Sequence, residues 1–204
     1  MILLPRLYPI VDSSCRGSTL ELMTLAEDLA SAGCTLVQYR NKSGHARIML
    51  EQARELKKHV GDSVRLIMND RADLCLAADF GGVHVGQDDL SPESVRKIIG
   101  SERWLGVSTH NPEQLREADL TSADYVAIGP VFATSSKENP DPVVGLDGVR
   151  RARELTRKAL VAIGGITRAN AASVIEAGAD SVAVISDLLR EPRKSAEVFL
   201  RILR

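Results

Sequence analysis

Short apolar, mostly β-branched runs recur along the chain, and eight stand out: Leu7–Asp12, Thr35–Arg40, Arg65–Asp70, Gly82–Gly86, Trp104–Thr109, Tyr125–Gly129, Leu160–Gly164 and Ser181–Ser186. The runs are continuous rather than alternating, which predicts parallel strands buried on both faces. Helical patterns separate them. Thr19 to Ala32 predicts a helix with Leu20, Met23, Leu29 and Ala30 along its apolar stripe, and Ala46 to Val60 predicts another with Met49, Ala53, Leu56 and Val60. Ser91-Pro92-Glu93 and Asn111-Pro112-Glu113 each place a capping residue before a proline suited to a first helical turn. Gly33, Gly61, Gly100 and Gly178 follow as stop signals.

Eight strand–helix units in one chain predict a single-domain (β/α)8 TIM barrel over residues 1–204 with short loops. A doubly wound open sheet is the alternative, but no GxGxxG follows the first strand. The one long connection, residues 130–144, is polar and predicts a lid or substrate clamp.

In parallel barrels the functional groups gather at the C-terminal ends of the strands. Polar residues collect at those ends here. Gln38, Arg40 and Lys42 alternate along an extended segment, so all three face one way, and two fixed cations with an amide suit a diphosphate. Asp70 and Asp89, with Asp88 beside them, end neighbouring strands and suit Mg2+, which takes one or two carboxylates plus phosphate oxygens. Asp70 as the cap of a following helix, and Asp89 or Ser91 as the cap of the next, is the structural alternative. Gly164-Gly165 after the seventh run predicts a phosphate cradle at a helix N-terminus, with Ser186 completing it. His110 reads equally as a general acid/base and as a loop histidine. His84 reads as an inner-barrel residue, and His45 and His59 as surface residues.

The chain is 44% hydrophobic, 26% charged and carries a net charge of −1, and its basic residues are scattered, so no nucleic-acid or membrane partner is expected. The apolar start Met1-Ile2-Leu3-Leu4 is too short for a signal peptide. Cys15, Cys34 and Cys75 lack metal spacing and predict free thiols in a reduced, cytoplasmic protein, monomeric or homo-oligomeric.

With these motifs in this order the chain resembles the thiamine-phosphate synthase family over nearly its whole length. The diagnostic pieces are Val37-Gln38-Tyr39-Arg40-Asn41-Lys42, Ile67-Met68-Asn69-Asp70, Gly82-Val83-His84-Val85-Gly86-Gln87-Asp88-Asp89, Gly106-Val107-Ser108-Thr109-His110, the Gly129-to-Lys137 stretch and Ala162-Ile163-Gly164-Gly165-Ile166-Thr167. The resemblance implies that Gln38, Arg40, Lys42 and Asn69 hold a pyrimidine diphosphate, with Asn41 in the same segment. It implies Asp70 and Asp89 as Mg2+ ligands, and Ser108 and Lys137 as further contacts to the pyrimidine substrate. Thr134, Ser136, Gly165, Ile185 and Ser186 would surround a thiazole phosphate. Arg40, Lys42, Ser108 and Lys137 would carry the catalysis. Asn41 stands where the family usually has an acidic residue, and alternation turns position 41 away from the diphosphate. Rival readings are a thiazole tautomerase of the same barrel type, kept open by His110, and a non-catalytic barrel that binds a phosphorylated ligand.

Overall fold

The computed structural model describes residues 2–134 and 141–204. Eight parallel strands close into a barrel in the order β1-β2-β3-β4-β5-β6-β7-β8. They are β1 (Leu7–Asp12), β2 (Leu36–Arg40), β3 (Arg65–Asn69), β4 (Gly82–Val85), β5 (Trp104–Thr109), β6 (Tyr125–Ile128), β7 (Ala159–Ile163) and β8 (Ser181–Val184). The helices between and after them are α1 (Thr19–Ser31), α2 (Ala46–Val60), α3 (Ala72–Ala77), α4 (Pro92–Ile99), α5 (Pro112–Asp119), α6 (Gly145–Leu155), α7 (Ala171–Glu176) and α8 (Pro192–Ile202). The open-sheet alternative is thereby excluded: β1 pairs with β8 as well as with β2.

Alternation along each strand divides the apolar residues into two cores. Leu7 and Val11 of β1, Val37 and Tyr39 of β2 and Val182 and Val184 of β8 pack outward against the helices. Tyr8, Ile10, Leu36, Ile67, Tyr125, Val161 and Ala183 fill the barrel lumen instead. Each strand therefore buries both faces, which is why its sequence reads as a continuous apolar run.

The helix signals act as their chemistry requires. The Ser91 side chain accepts from the Ser94 N–H, and that of Asn111 from Gln114, each with proline in the first turn. In α2, Met49, Ala53, Leu56 and Val60 are all buried as expected. The stripe expected of α1 needs correction. Leu20 is 74% exposed, whereas Leu22, Met23, Leu25, Ala26 and Leu29 are buried. The buried face is centred on the helix middle, so the first-turn leucine falls beside it rather than on it.

Among the described residues, no helix is long and apolar enough to cross a membrane.

Candidate active site

A cavity of about 510 Å³ opens at the C-terminal ends of the strands, where a barrel presents its βα connections. Gln38, Arg40 and Lys42 all line it, as their alternate spacing requires. Asn69, Asp70, Asp89, Ser108, Thr134, Gly165, Ile185 and Ser186 line it too, with Asp88 and His110.

Asn41 does not line this cavity, and its inclusion with the ligand-facing residues is corrected here. Its side-chain amide donates to the Tyr39 hydroxyl at 3.1 Å and to Gln52 Oε1 at 3.0 Å, on the side facing α2. Its Oδ1 accepts from the Ser43 N–H at 2.8 Å, closing the turn after β2. Asn41 thus shapes the loop that carries Lys42. Ser136 and Lys137 lie outside the described residues.

The cations on this rim are held by carboxylates. Arg40 pairs with Asp12, its neighbour in the β1–β2 register, and Asp12 is buried. Lys42 pairs with Asp70 across the rim. Burial raises the Asp70 carboxyl above its ordinary range; the Lys42 ammonium opposes this, and the hydrogen-bonded Asp89 carboxyl adds to it. Asp70 does not cap a helix: its φ is +61° and Arg71 occupies the capping position of α3. Asp89 Oδ2 instead accepts from the Gly86 N–H at 2.8 Å. Beside this pair the amide Nδ2 of Asn69 is buried with no hydrogen-bond partner. A buried donor without an acceptor calls for an explanation, and a ligand oxygen at this rim would supply one.

Two carboxyls within hydrogen-bonding reach of each other and an unpartnered amide donor fit Mg2+ with a diphosphate. Two protein oxygens suffice for a cation that takes its other ligands from phosphate and water.

The opposite rim is built from backbone. Gly164 and Gly165 take φ of +99° and +63°, and a Cβ on Gly165 would come within 2.5 Å of the Ala133 carbonyl oxygen. The expectation that this pair opens directly into a helix is corrected, because α7 begins only at Ala171. The intervening turn is closed by Asn170, whose amide donates to the Gly165 carbonyl at 3.0 Å while its Oδ1 accepts from Thr167 N–H at 2.8 Å. Arg168 then forks onto Asp187 at 3.0 and 3.1 Å, tying this turn to the 3-10 turn Ser186–Leu188 after β8. The long connection after β6 is pinned at its base, where Val144 N–H donates to Pro130 O at 2.9 Å and Gly145 N–H to Val131 O at 3.1 Å.

His110 Nδ1 sits 2.7 Å from the Gly129 carbonyl oxygen and 3.5 Å from Asp141. Burial pushes the Cys34 thiol up to about 12 and Cys75 to about 11, which suits packing and not nucleophilic attack.

Residues 7–188 match the family described as thiamine monophosphate synthase. The chain belongs to that family. The thiamine-phosphate synthase of Koribacter versatilis is 62% identical over 203 residues, 98% of this chain and 96% of the relative. That of Chloroflexus aurantiacus is 44% identical, covering 89% of this chain and 83% of its own. Among solved structures, a thiamine phosphate pyrophosphorylase from Pyrococcus furiosus superposes with a TM-score of 0.85 at 32% identity. The likeness spans 97% of this chain and 95% of the other.

Sequence reasoning missed five contributing residues. Asp12 ends the first apolar run but gains meaning only once β1 and β2 are in register. Arg168 and Asp187 are ordinary charges until the turns after β7 and β8 are set side by side. Tyr8 and Tyr125 carry no local signal of a partner, yet their hydroxyls bond each other at 2.9 Å in the barrel lumen.

Proposed function

We propose that the protein is a thiamine-phosphate synthase. It would join 4-amino-2-methyl-5-(diphosphooxymethyl)pyrimidine to 4-methyl-5-(2-phosphooxyethyl)thiazole, giving thiamine phosphate and pyrophosphate. The observation that carries this reading is the rim shared by Arg40, Lys42, the Asp70–Asp89 pair and the unpartnered Asn69 amide. Two cations, two carboxylates and a waiting donor suit a diphosphate better than any monoanion.

Asp70 and Asp89 would hold Mg2+, which supplies positive charge to the diphosphate oxygens when bound. Arg40 and Lys42 take the remaining charge, and Asn69 Nδ2 donates to an oxygen. Lys137, in the segment after β6, is assigned to the same diphosphate. As the methylene–oxygen bond breaks, its electron pair leaves with pyrophosphate and the cations stabilise the charge that develops. The remaining pyrimidinylmethyl cation is held in the lumen by Gln38 and Ser108. The thiazole nitrogen then closes the new C–N bond with its lone pair, and no proton need move. Gly165, Ile185, Ser186, Thr134 and Ser136 would position the thiazole phosphate for that attack.

The test is pyrophosphate release from the pyrimidine diphosphate, with and without thiazole phosphate, in Mg2+ or EDTA. Release that needs both metal and acceptor, with thiamine phosphate in equal amount, is expected. Absence of release under every condition rejects the synthase and favours the tautomerase or a binding protein.

A further inference from the structure

Along the floor of the cavity a single file of hydrogen bonds crosses the barrel lumen from β2 to β5. Gln38 Nε2 donates to the Tyr8 hydroxyl at 3.0 Å. The Tyr8 hydroxyl meets that of Tyr125 at 2.9 Å. Tyr125 meets His84 Nδ1 at 3.1 Å, and His84 Nε2 meets Ser108 Oγ at 2.8 Å. Tyr8, Gln38, His84 and Ser108 line the cavity, whereas Tyr125 lies below its floor. The room for Tyr125 comes from β5: a Cβ on Gly106 would sit 2.4 Å from the Tyr125 hydroxyl oxygen.

Proton counting gives this file a direction. Both phenols are buried and stay protonated, since burial raises them further. Tyr8 already accepts from Gln38, so its own proton goes to Tyr125. Tyr125 then donates to His84 Nδ1. An imidazole that accepts at Nδ1 carries its N–H on Nε2, which points at Ser108. Ser108 accepts there and is left to donate its hydroxyl proton into the cavity. At the other end Gln38 has committed its amide nitrogen and presents its carbonyl oxygen. Reversing any one member would set two donors or two acceptors face to face, so the two ends are set together.

We infer that Tyr125, with Tyr8 and His84, is a positioning residue that fixes Gln38 as an acceptor and Ser108 as a donor. The pair thereby selects an aminopyrimidine over its oxo counterpart. An aminopyrimidine offers an N–H to the first and a ring lone pair to the second. A 4-oxo ring replaces the amine with a carbonyl and the adjacent lone pair with N–H, which inverts the pattern. The inference rests on the synthase reading for its substrate but not for its geometry.

Tyr125→Phe keeps the ring in the Gly106 notch and removes only the central link. The measurement is kcat/KM for the 4-amino and 4-oxo pyrimidine diphosphates, with the KM for thiazole phosphate recorded beside them. The amino preference should fall about tenfold or more in Tyr125→Phe, with the thiazole KM unchanged. A preference within about twofold of wild type, or equal losses on both pyrimidines with a raised thiazole KM, overturns it. The direction is read independently in the wild-type chain. Histidine-labelled 15N spectra, with His84→Gln identifying the resonance among four histidines, should show the Nε2–H tautomer. An Nδ1–H tautomer overturns the inference whatever Tyr125→Phe does. A wild-type protein that releases no pyrophosphate removes the synthase reading and the substrate claim, whereas turnover with unaltered preference in the variant removes the inference alone.

Discussion

The two ends of the barrel use the same charged groups to opposite purpose. At the N-terminal end, Asp124 stands before β6 and Asp180 before β8, and their contacts repeat. Each donates its backbone N–H to the neighbouring strand, Asp124 to Leu105 O and Asp180 to Leu160 O, both at 2.8 Å. Each carboxylate accepts the N–H of that same leucine at 2.8 Å. Arg96 from α4 closes the first station at 2.7 Å and Arg153 from α6 the second at 2.9 Å. These charges are consumed by the protein. At the C-terminal end Asp70 and Asp89 are side by side, and the Asn69 amide has no partner. Two carboxyls set side by side in a cavity at one end, and each carboxylate closed onto a backbone amide and an arginine at the other, separate a surface suited to a ligand from one that fastens strands.

The largest test of that contrast removes a cation from the open end. Lys42 is 53% exposed and its partner Asp70 only 17%. Lys42→Ala is expected to lower pyrophosphate release by about 10³, or roughly 4 kcal/mol of transition-state stabilisation, while thermal midpoint changes little. An activity loss matched by an equal loss of folded protein would make Lys42 a structural residue.

Acid tests the region between the two ends. Burial holds the His84 imidazole down at about 4 from an ordinary 6.5. The unfolded chain therefore binds a proton that the native one refuses. Stability from this group is fully present above pH 6.5, falls as the pH drops toward 4 and does not fall further below that. The loss should reach about 3 kcal/mol. Urea unfolding at pH 7 and pH 4 should show it in wild type and not in His84→Gln; parallel curves for the two proteins would reject it.

The strands were legible because burial on both faces leaves nothing but apolar residues between Leu7 and Val11 or between Val126 and Ile128. The rim was legible for a related reason: in a parallel barrel all polar strand ends fall on one side, so Gln38, Asn69, Asp70 and Ser108 converge without any knowledge of register. What could not be read depends on register and long-range approach. Arg40 meets Asp12 because β1 and β2 are aligned at those positions. Tyr8 and Tyr125 are 117 residues apart, and nothing local in either strand announces a hydroxyl pair. Gly164-Gly165 was legible as a close approach to a ligand, but not as a turn held by Asn170 in advance of α7. Leu20 was misplaced because periodicity alone does not say where the centre of a helix's buried face lies.

A smaller effect is expected on the backbone-built rim. Gly165→Ala places a methyl 2.5 Å from the Ala133 carbonyl oxygen, at a φ of +63° that disfavours alanine. The turn must shift, and kcat/KM for the thiazole phosphate should fall about 10- to 100-fold. The KM for the pyrimidine diphosphate should change less, because Arg40, Lys42 and Asn69 lie at the ends of β2 and β3, away from this turn. An equal rise in both KM values would mean that the turn supports the whole cavity rather than one substrate.

The smallest effect belongs to the closed end, and it should be one of stability alone. Asp124 is 28% exposed, and Asp124→Ala strips the carboxylate from both the Leu105 N–H and the Arg96 guanidinium. Arg96 keeps its bonds to the carbonyls of Gly100, Arg103 and Ser122, so its charge remains solvated by the backbone. The Leu105 N–H has no such substitute and must find water at the barrel base. That argues for a loss of about 1–2 kcal/mol, at the level of one unsatisfied amide plus a partly screened ion pair. Turnover per folded molecule should match wild type, because Asp124 precedes β6 while the cavity opens beyond the strand's far end. Denaturant midpoints and active-site titration on the same sample measure both quantities. A fall in turnover without a fall in midpoint would show that the strand-fastening station at the base reaches the mouth through β6, and the division between the two ends would no longer hold.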